Sequence, residues 1–284
     1  MATTMTTLAL DPISRLTRDL RQAAKTLTGR EARYMVDAYY QIQNYRIASG
    51  NQIKALSKSG EPHSVLLWLN QQTRELERQI HRALDVWSMS HPVGEWSRTI
   101  PGVGPVTAAG LLAHIDIRRA PTVGRIWRFA GLDPTTRWEK GKKRPWNADL
   151  KRICWHLGEA FVKVRDRDKH PYGRLYEYRK ALEQARNDAG EYADQAAQIL
   201  AAKRIGRNTN AYQWYSQGKL PPAHIHARAK RYAVKVFLSH WHHVSYEVEY
   251  GEPPPRPYVI EHLGHADYMA PPNWPMIRPR RKGA

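Results

Sequence analysis

Two short stretches carry residue types that could do chemistry with a phosphate. The first, Ile100-Pro101-Gly102-Val103-Gly104-Pro105-Val106-Thr107-Ala108-Ala109, sets glycines at alternate positions ahead of a proline and an Ala-rich apolar run. Glycine takes positive φ readily and leaves the backbone bare, and proline suits a first helical turn. The pattern predicts a helix-hairpin-helix: one helix ending near Thr99, a tight turn, and a second helix from about Pro105. Amides around Gly102, Val103, Gly104, Val106 and Thr107 would then sit at a helix N-terminus, where unpaired N–H groups receive phosphate. An ordinary helix-to-helix turn satisfies the same spacing, because the motif is short. The second stretch, Trp138-Glu139-Lys140-Gly141-Lys142-Lys143-Arg144-Pro145-Trp146, is the most basic loop in the chain. Lys140, Lys142, Lys143 and Arg144 could neutralise phosphates, and Trp138 and Trp146 could stack on bases. Lys151 and Arg152 extend this basic character into the helix that follows. The alternative is a solvated loop whose tryptophans cap the core.

Other reactive residue types read as structural. His240-Trp241-His242-His243, with His224 and His226 upstream, is the best candidate for a metal cluster. Metals need three or more convergent ligands with a supporting shell, and His240 lies on an apolar stripe, so it reads as a core histidine. No metal and no other cofactor is expected. Cys154, the single cysteine, falls on another apolar stripe and reads as core, not as a nucleophile. One cysteine also excludes an internal disulfide and a Cys-rich zinc site.

The elements that must position these residues are helical throughout. Thr28-Gly29-Arg30-Glu31 reads as a capping box opening a helix with Val36, Tyr40, Gln43 and Ile47 on its packing face. An earlier helix is expected from Asp11-Pro12. Leu66, Leu69, Thr73, Leu76, Ile80, Ala83 and Trp87 follow steps of three and four, about three heptads, which fits a coiled coil or packing within one chain. Asn147 caps a helix over 148–164 with Leu150, Ile153, Cys154, Leu157 and Phe161 on one stripe. Residues 165–173 read as a charged break, 174–204 as a polar helix pair, and 204–208 and 214–222 as loops. Residues 225–250 form the last long helix, its stripe running through Ala229, Ala233, Val236, Phe237, His240, Trp241 and Val244. A proline-dominated tail with a basic end, Arg278 to Lys282, follows. The fold class predicted is all-α.

Charge narrows the partner. The 284 residues carry 45 Lys and Arg against 26 Asp and Glu, a formal net charge of +19, which favours a polyanion and salt-dependent binding. Ten Trp and 15 Tyr stand against three Phe, a bias toward aromatic rings with a wet edge. No apolar run long enough for a membrane span and no signal core is present, so a reducing cytosol fits.

The order of parts resembles the insertion-sequence transposases of the bridge-RNA-guided type, relatives of the pilin-gene invertases. The resemblance rests on Ile100 to Ala109, Phe129-Ala130-Gly131-Leu132-Asp133-Pro134, the Gly141-Lys142-Lys143-Arg144 loop and the Leu150-Lys151-Arg152 helix, in that order. It implies a coiled-coil region over 1–90, a helix-hairpin-helix transposase domain over 91–251 with an insertion at about 166–224, and a Pro-rich basic tail over 252–284. Two features of that family have no counterpart in the sequence: an RNase-H-like domain with metal-binding carboxylates, and a serine nucleophile just before the glycine of the basic loop. Glu139 and Lys140 occupy roughly that slot.

The reading that follows is a nucleic-acid-binding, transposase-like protein of a mobile element, gripping DNA or a structured RNA through the hairpin and the loop. It would form homo-oligomers through the coiled coil, work near a bacterial nucleoid, and have no catalytic centre of its own; its catalytic residues are unassigned. An active recombinase with unplaced catalytic residues, or an oligomeric scaffold, are the alternatives.

Overall fold

The computed structural model describes residues 15–60, 62–166, 170–255 and 269–276, and among these every regular element is helical. In chain order they are α1 (Arg18–Ala24), α2 (Gly29–Leu56), α3 (Ser64–Met89), α4 (Pro92–Arg98), α5 (Pro105–His114), a 3-10 turn (Ile117–Arg119), α6 (Val123–Phe129), α7 (Ala148–Lys163), α8 (Pro171–Asp188), α9 (Ala193–Ala202), α10 (Asn210–Ser216) and α11 (Pro222–Tyr250). The all-α class is therefore as expected. None of these helices is long and apolar enough to cross a membrane. The chain divides into two compact units. One comprises the described residues up to Glu95 with Gly104–His114; the other comprises Trp96–Val103 and the described residues from Ile115 onward.

The first unit is built on the antiparallel pair α2 and α3. Thr28 opens α2 through a complete capping box: its side chain accepts from the Glu31 amide, and Glu31 accepts from the Thr28 amide. Two cross-helix bonds fix the direction. Trp87 donates its indole N–H to the Leu27 carbonyl at 2.8 Å, and far along the pair Asn70 donates to Ser49 Oγ at 2.8 Å. α5 packs on both helices, and Arg33 clasps it by donating to the Ala113 carbonyl at 2.7 Å. The heptad face of α3 is buried in only part of its length. Thr73, Ile80, Ala83 and Trp87 are buried, whereas Leu66, Leu69 and Leu76 stay 37–39% exposed. On α2, Val36 and Tyr40 are buried and Ile47 is exposed. The helix expected from Asp11-Pro12 opens later, at Thr17, whose side chain accepts from the Leu20 amide; Asp11 and Pro12 lie outside the described residues.

The second unit is organised around α11, against which α6, α7 and α8 pack. Of the stripe that the spacing predicts, Ala229, Ala233, Phe237, His240, Trp241 and Val244 are buried, while Val236 is only half-buried. Aromatic rings fill the centre. Trp96 stacks on Phe237 with centroids 5.9 Å apart, and Tyr172 stacks on Phe161 at 4.9 Å. Some of the polar ring atoms find partners inside this core, as the Tyr172 hydroxyl does with His240 at 2.7 Å. Trp96 donates to the Pro272 carbonyl at 2.8 Å, which pins the 269–276 segment of the tail. α8 starts at Pro171, inside the stretch read as a charged break, because His170 caps it and proline takes the first helical position. α10 covers Trp214 to Ser216, read as loop; Thr209 caps it through the Tyr212 amide. The basic end of the tail lies outside the described residues.

Candidate functional site

The basic loop is closed by its own side chains. Asp133 starts it, accepting from the Thr135 amide at 2.9 Å and from the Thr135 hydroxyl at 2.7 Å. These hydrogen bonds hold the Asp133 carboxyl below its ordinary pKa, against a smaller effect of burial. Trp138 donates its indole N–H to the Lys142 carbonyl at 2.7 Å, and Gly141 at the tip has φ +84°. Asn147 then returns the chain: its amide donates to the Phe129 carbonyl at 2.9 Å, and its side chain caps α7 through the Leu150 amide at 2.8 Å.

This closure presents the cations outward. Lys140, Lys142, Lys143 and Arg144 are all exposed. The Arg144 guanidinium lies 4.9 Å from the centroid of the Trp138 ring, and the Lys151 ammonium lies 4.1 Å from that of Trp146. The two tryptophans differ in role. Trp138 is about half exposed. Trp146 packs on Gly131, where an added Cβ would lie 2.8 Å from the indole and φ is +66°. Lys142 pairs with Glu139 at 2.7 Å, an exposed contact that water largely screens. Arg152 pairs with Asp149 at 3.2 Å.

Helix α11 adds further cations beside α7 and α6. Burial lowers the Lys151 pKa, and Arg231 and Arg144 lower it further, so the three form one electrostatic group. Lys235 sits 4.1 Å from the Trp127 ring centroid; burial lowers its pKa, with Asp133 opposing and Arg231 adding. Trp155, one helical turn beyond Lys151 on α7, is 58% exposed. An i,i+4 spacing links Lys151 to Trp155 and Arg231 to Lys235. That signal was readable, but which neighbour each face meets depends on tertiary rotation.

The glycines of the turn between α4 and α5 have separate roles. Gly102 has φ +89°, and an added Cβ would meet Val164 at 3.3 Å and Ala160 at 3.4 Å, at the C-terminal end of α7. Gly104 has open space where a Cβ would go. The Val103 amide is committed to the Ile100 carbonyl at 3.0 Å, and the Val103 carbonyl accepts from Arg98 at 3.0 Å. Val103 and Val106 have buried side chains, while Gly102, Gly104 and Thr107 are partly exposed. Gly104 accepts the first helical bond, from the Ala108 amide at 3.0 Å, so the first-turn amides of Val106 and Thr107 are left without an intrahelical acceptor. Gly102 and the basic loop meet opposite ends of α7. From Ala160 to Lys151 is roughly 14 Å along a helix axis, so one phosphate cannot touch both. Gly102→Ala is expected to destabilise the fold by about 1–2 kcal/mol through forced left-handed backbone, and Gly104→Ala to leave the melting temperature unchanged. Calorimetry of the two variants decides this.

The histidines each have a private partner. His240 is buried, with Nδ1 2.7 Å from the Tyr172 hydroxyl and Nε2 2.9 Å from the Met269 carbonyl. A carbonyl only accepts, so Nε2 carries the proton and Nδ1 accepts from Tyr172. Burial lowers the His240 pKa to about 4. His242 faces the Ala120 carbonyl at 2.8 Å, His243 faces Glu247 at 2.8 Å, and His226 faces Tyr176 at 2.7 Å. Among the described residues no three of His, Cys, Asp and Glu converge as metal ligands. Cys154 is buried, and burial pushes its thiol up to about 12.

The fold and site together define an all-α protein with a tryptophan-bordered cationic strip on α7, α11 and the loop that joins α6 to α7. Residues 97–165, from within α4 to just beyond α7, match the family model described as Transposase IS116/IS110/IS902 family. Over 75 residues the chain is 39% identical to the "Insertion element IS110 uncharacterized 43.6 kDa protein" of Streptomyces coelicolor, a match covering 26% of this chain and 18% of that relative. The chain is thus transposase-like over this segment, which contains both the hairpin turn and the basic loop. No solved structure matches it significantly.

Proposed function

We propose that the protein is a nucleic-acid-binding component of a mobile element that grips DNA, or a guide-like structured RNA, along α7 and its flanking loops. The observation that carries this reading is the exposed run of Lys140, Lys142, Lys143 and Arg144, with the Arg144 guanidinium 4.9 Å from the Trp138 ring centroid and the Lys151 ammonium 4.1 Å from that of Trp146. Like cations held together gain most from a polyanion. The loop would hold phosphates at one end of α7, and exposed Trp155 would stack on an unpaired base along that helix. Grip would belong to this chain and strand cleavage elsewhere, because Glu139 or Lys140 stands roughly where the resembling family has its serine. Homo-oligomers would form on the exposed Leu66, Leu69 and Leu76 of the α3 seam, and the working compartment would be the bacterial cytoplasm.

Fluorescence-anisotropy titrations on duplex DNA and on an RNA hairpin, across a salt series, test the reading. Arg231→Gln is expected to weaken binding several-fold. A loss no greater than that from the exposed pair Arg204→Gln/Arg207→Gln would mean that the charge is generic. Binding should also depend on pH with a definite sign. Phosphate favours protonated Lys151, whose pKa burial holds below the ordinary lysine value, so affinity is full below that lowered value and falls as pH rises through it. Lys151→Met is expected to flatten that fall; an unchanged profile in the variant removes Lys151 from the site.

A further inference from the structure

The first unit carries a recess of about 500 Å³ between α2 and α3, lined by Tyr39, Arg46, Arg74, Glu77, Arg78 and His81. Three guanidinium groups therefore share a space with one carboxylate. Glu77 is 9% exposed and already committed. Arg46 donates Nε and Nη2 to its two oxygens, and Gln43 donates to Oε1 at 3.2 Å. Burial works to raise the Glu77 pKa, and these hydrogen bonds outweigh it, so the carboxyl titrates below its ordinary value. It holds Arg46 in place and offsets one of the three positive charges.

The other two arginines are positioned with less neutralisation. Arg74 donates Nε to the amide oxygen of Asn70 at 2.9 Å, a neutral acceptor, which leaves its terminal amino groups as donors. Asn70 is itself buried and fixed to α2 through Ser49 Oγ at 2.8 Å, so the orientation of Arg74 is set from below. Arg78 reaches Glu75 at 2.8 Å with 62% of its side chain exposed, a pairing that solvent weakens. Arg74 and Arg78 lie four residues apart on α3, a spacing at which like charges repel. An anion placed between them would relieve that repulsion. The Tyr39 and His81 rings border the same recess with centroids 6.3 Å apart.

We infer that this recess binds a phosphodiester of a nucleic-acid strand, which gives the first unit its own grip. The guanidinium forks of Arg74 and Arg78 would take the phosphate oxygens, a geometry for which arginine is suited, and the Tyr39 and His81 rings would border the adjoining sugar or base. The inference rests on the nucleic-acid reading above for the identity of the ligand and adds a site outside the segment that carries that reading. RNA and DNA offer the same phosphate, and the experiment separates them.

The full chain carrying Arg74→Gln/Arg78→Gln is titrated against a labelled RNA hairpin and a duplex DNA, beside the Lys142, Lys143 and Arg144 triple alanine variant and the Arg204→Gln/Arg207→Gln control. Equal melting temperatures confirm that each variant folds. The recess variant is expected to bind one of the two probes about tenfold more weakly at equal salt, and its salt slope to fall by about 0.7–0.9, the contribution of one phosphate. Ultraviolet cross-linking of that probe to the peptide containing Tyr39 should disappear with it. Affinity and slope equal to those of the control pair overturn the inference. If the loop variant alone then loses binding, the recess is wrong and the loop reading stands; if neither variant differs from the control, both fall.

Discussion

Replacing Lys142, Lys143 and Arg144 together by alanine is expected to weaken duplex DNA binding on the order of 100-fold at about 0.1 M salt, with the melting temperature unchanged. The magnitude follows from counterion release. Each phosphate neutralised contributes about 0.9 to the salt slope, so three contacts give at most a slope change of about 2.7 and a loss of roughly 500-fold relative to 1 M salt. The structure argues for less than that ceiling. Lys142 already faces Glu139 at 2.7 Å, so its contribution is smaller than that of Lys143, and part of Arg144 lies over the Trp138 ring. Stability should not change, because the loop is closed by Asp133, the Trp138 indole and the Asn147 amide, none of which the variant touches. Trp138 donates to the carbonyl of Lys142, a backbone group that alanine retains. A slope change below about 1 would show that fewer than two of these side chains meet phosphate.

The sequence made the loop visible and left the strip hidden. Consecutive cations between two tryptophans are a local pattern, and so is the Asn147 cap that follows them. The membership of Arg231 and Lys235 is not local: periodicity says they avoid the apolar stripe of α11, and only packing says they turn toward α7 and α6. The two hairpin glycines show the same limit. Both read as backbone freedom, yet Gly102 is needed for its positive φ and close approach to α7, while Gly104 meets nothing. Among the helices, α2 and α7 were legible because side-chain caps and apolar stripes agree. α10 was not, since its seven residues are too short to show a period and its signal lies in the Thr209 cap. On α3 one heptad pattern spans two environments, buried from Thr73 onward at most seam positions and exposed at Leu66 and Leu69; the spacing is blind to that difference.

Glu183→Ala is expected to destabilise the second unit by about 3 kcal/mol. Glu183 is 1% exposed and joins three elements: Arg179 of its own helix at 2.5 Å, Arg228 of α11 at 2.6 Å, and the Tyr192 hydroxyl at the head of α9, which donates at 2.5 Å. Removing it leaves two guanidinium groups facing each other without their shared acceptor. Their side chains are only 24–25% exposed, so water restores part of the loss and the effect falls at the low end of that seen for broken buried pairs. A change of this size lowers a melting temperature by roughly 6–12 °C in a unit of this length. The pH dependence has a fixed sign. Burial acts to raise the Glu183 pKa, and hydrogen bonds from Tyr192 and Arg228, with the charge of Arg179, outweigh it, so the folded value lies below the ordinary one. The stabilisation is therefore complete above the unfolded carboxyl's pKa and disappears as pH falls through the folded one. Thermal melts of wild type and variant should converge on acidification across that window. A constant gap down to the lowest pH at which both fold would mean that the loss comes from packing around Tyr192 and Leu220 and not from the ionised carboxylate.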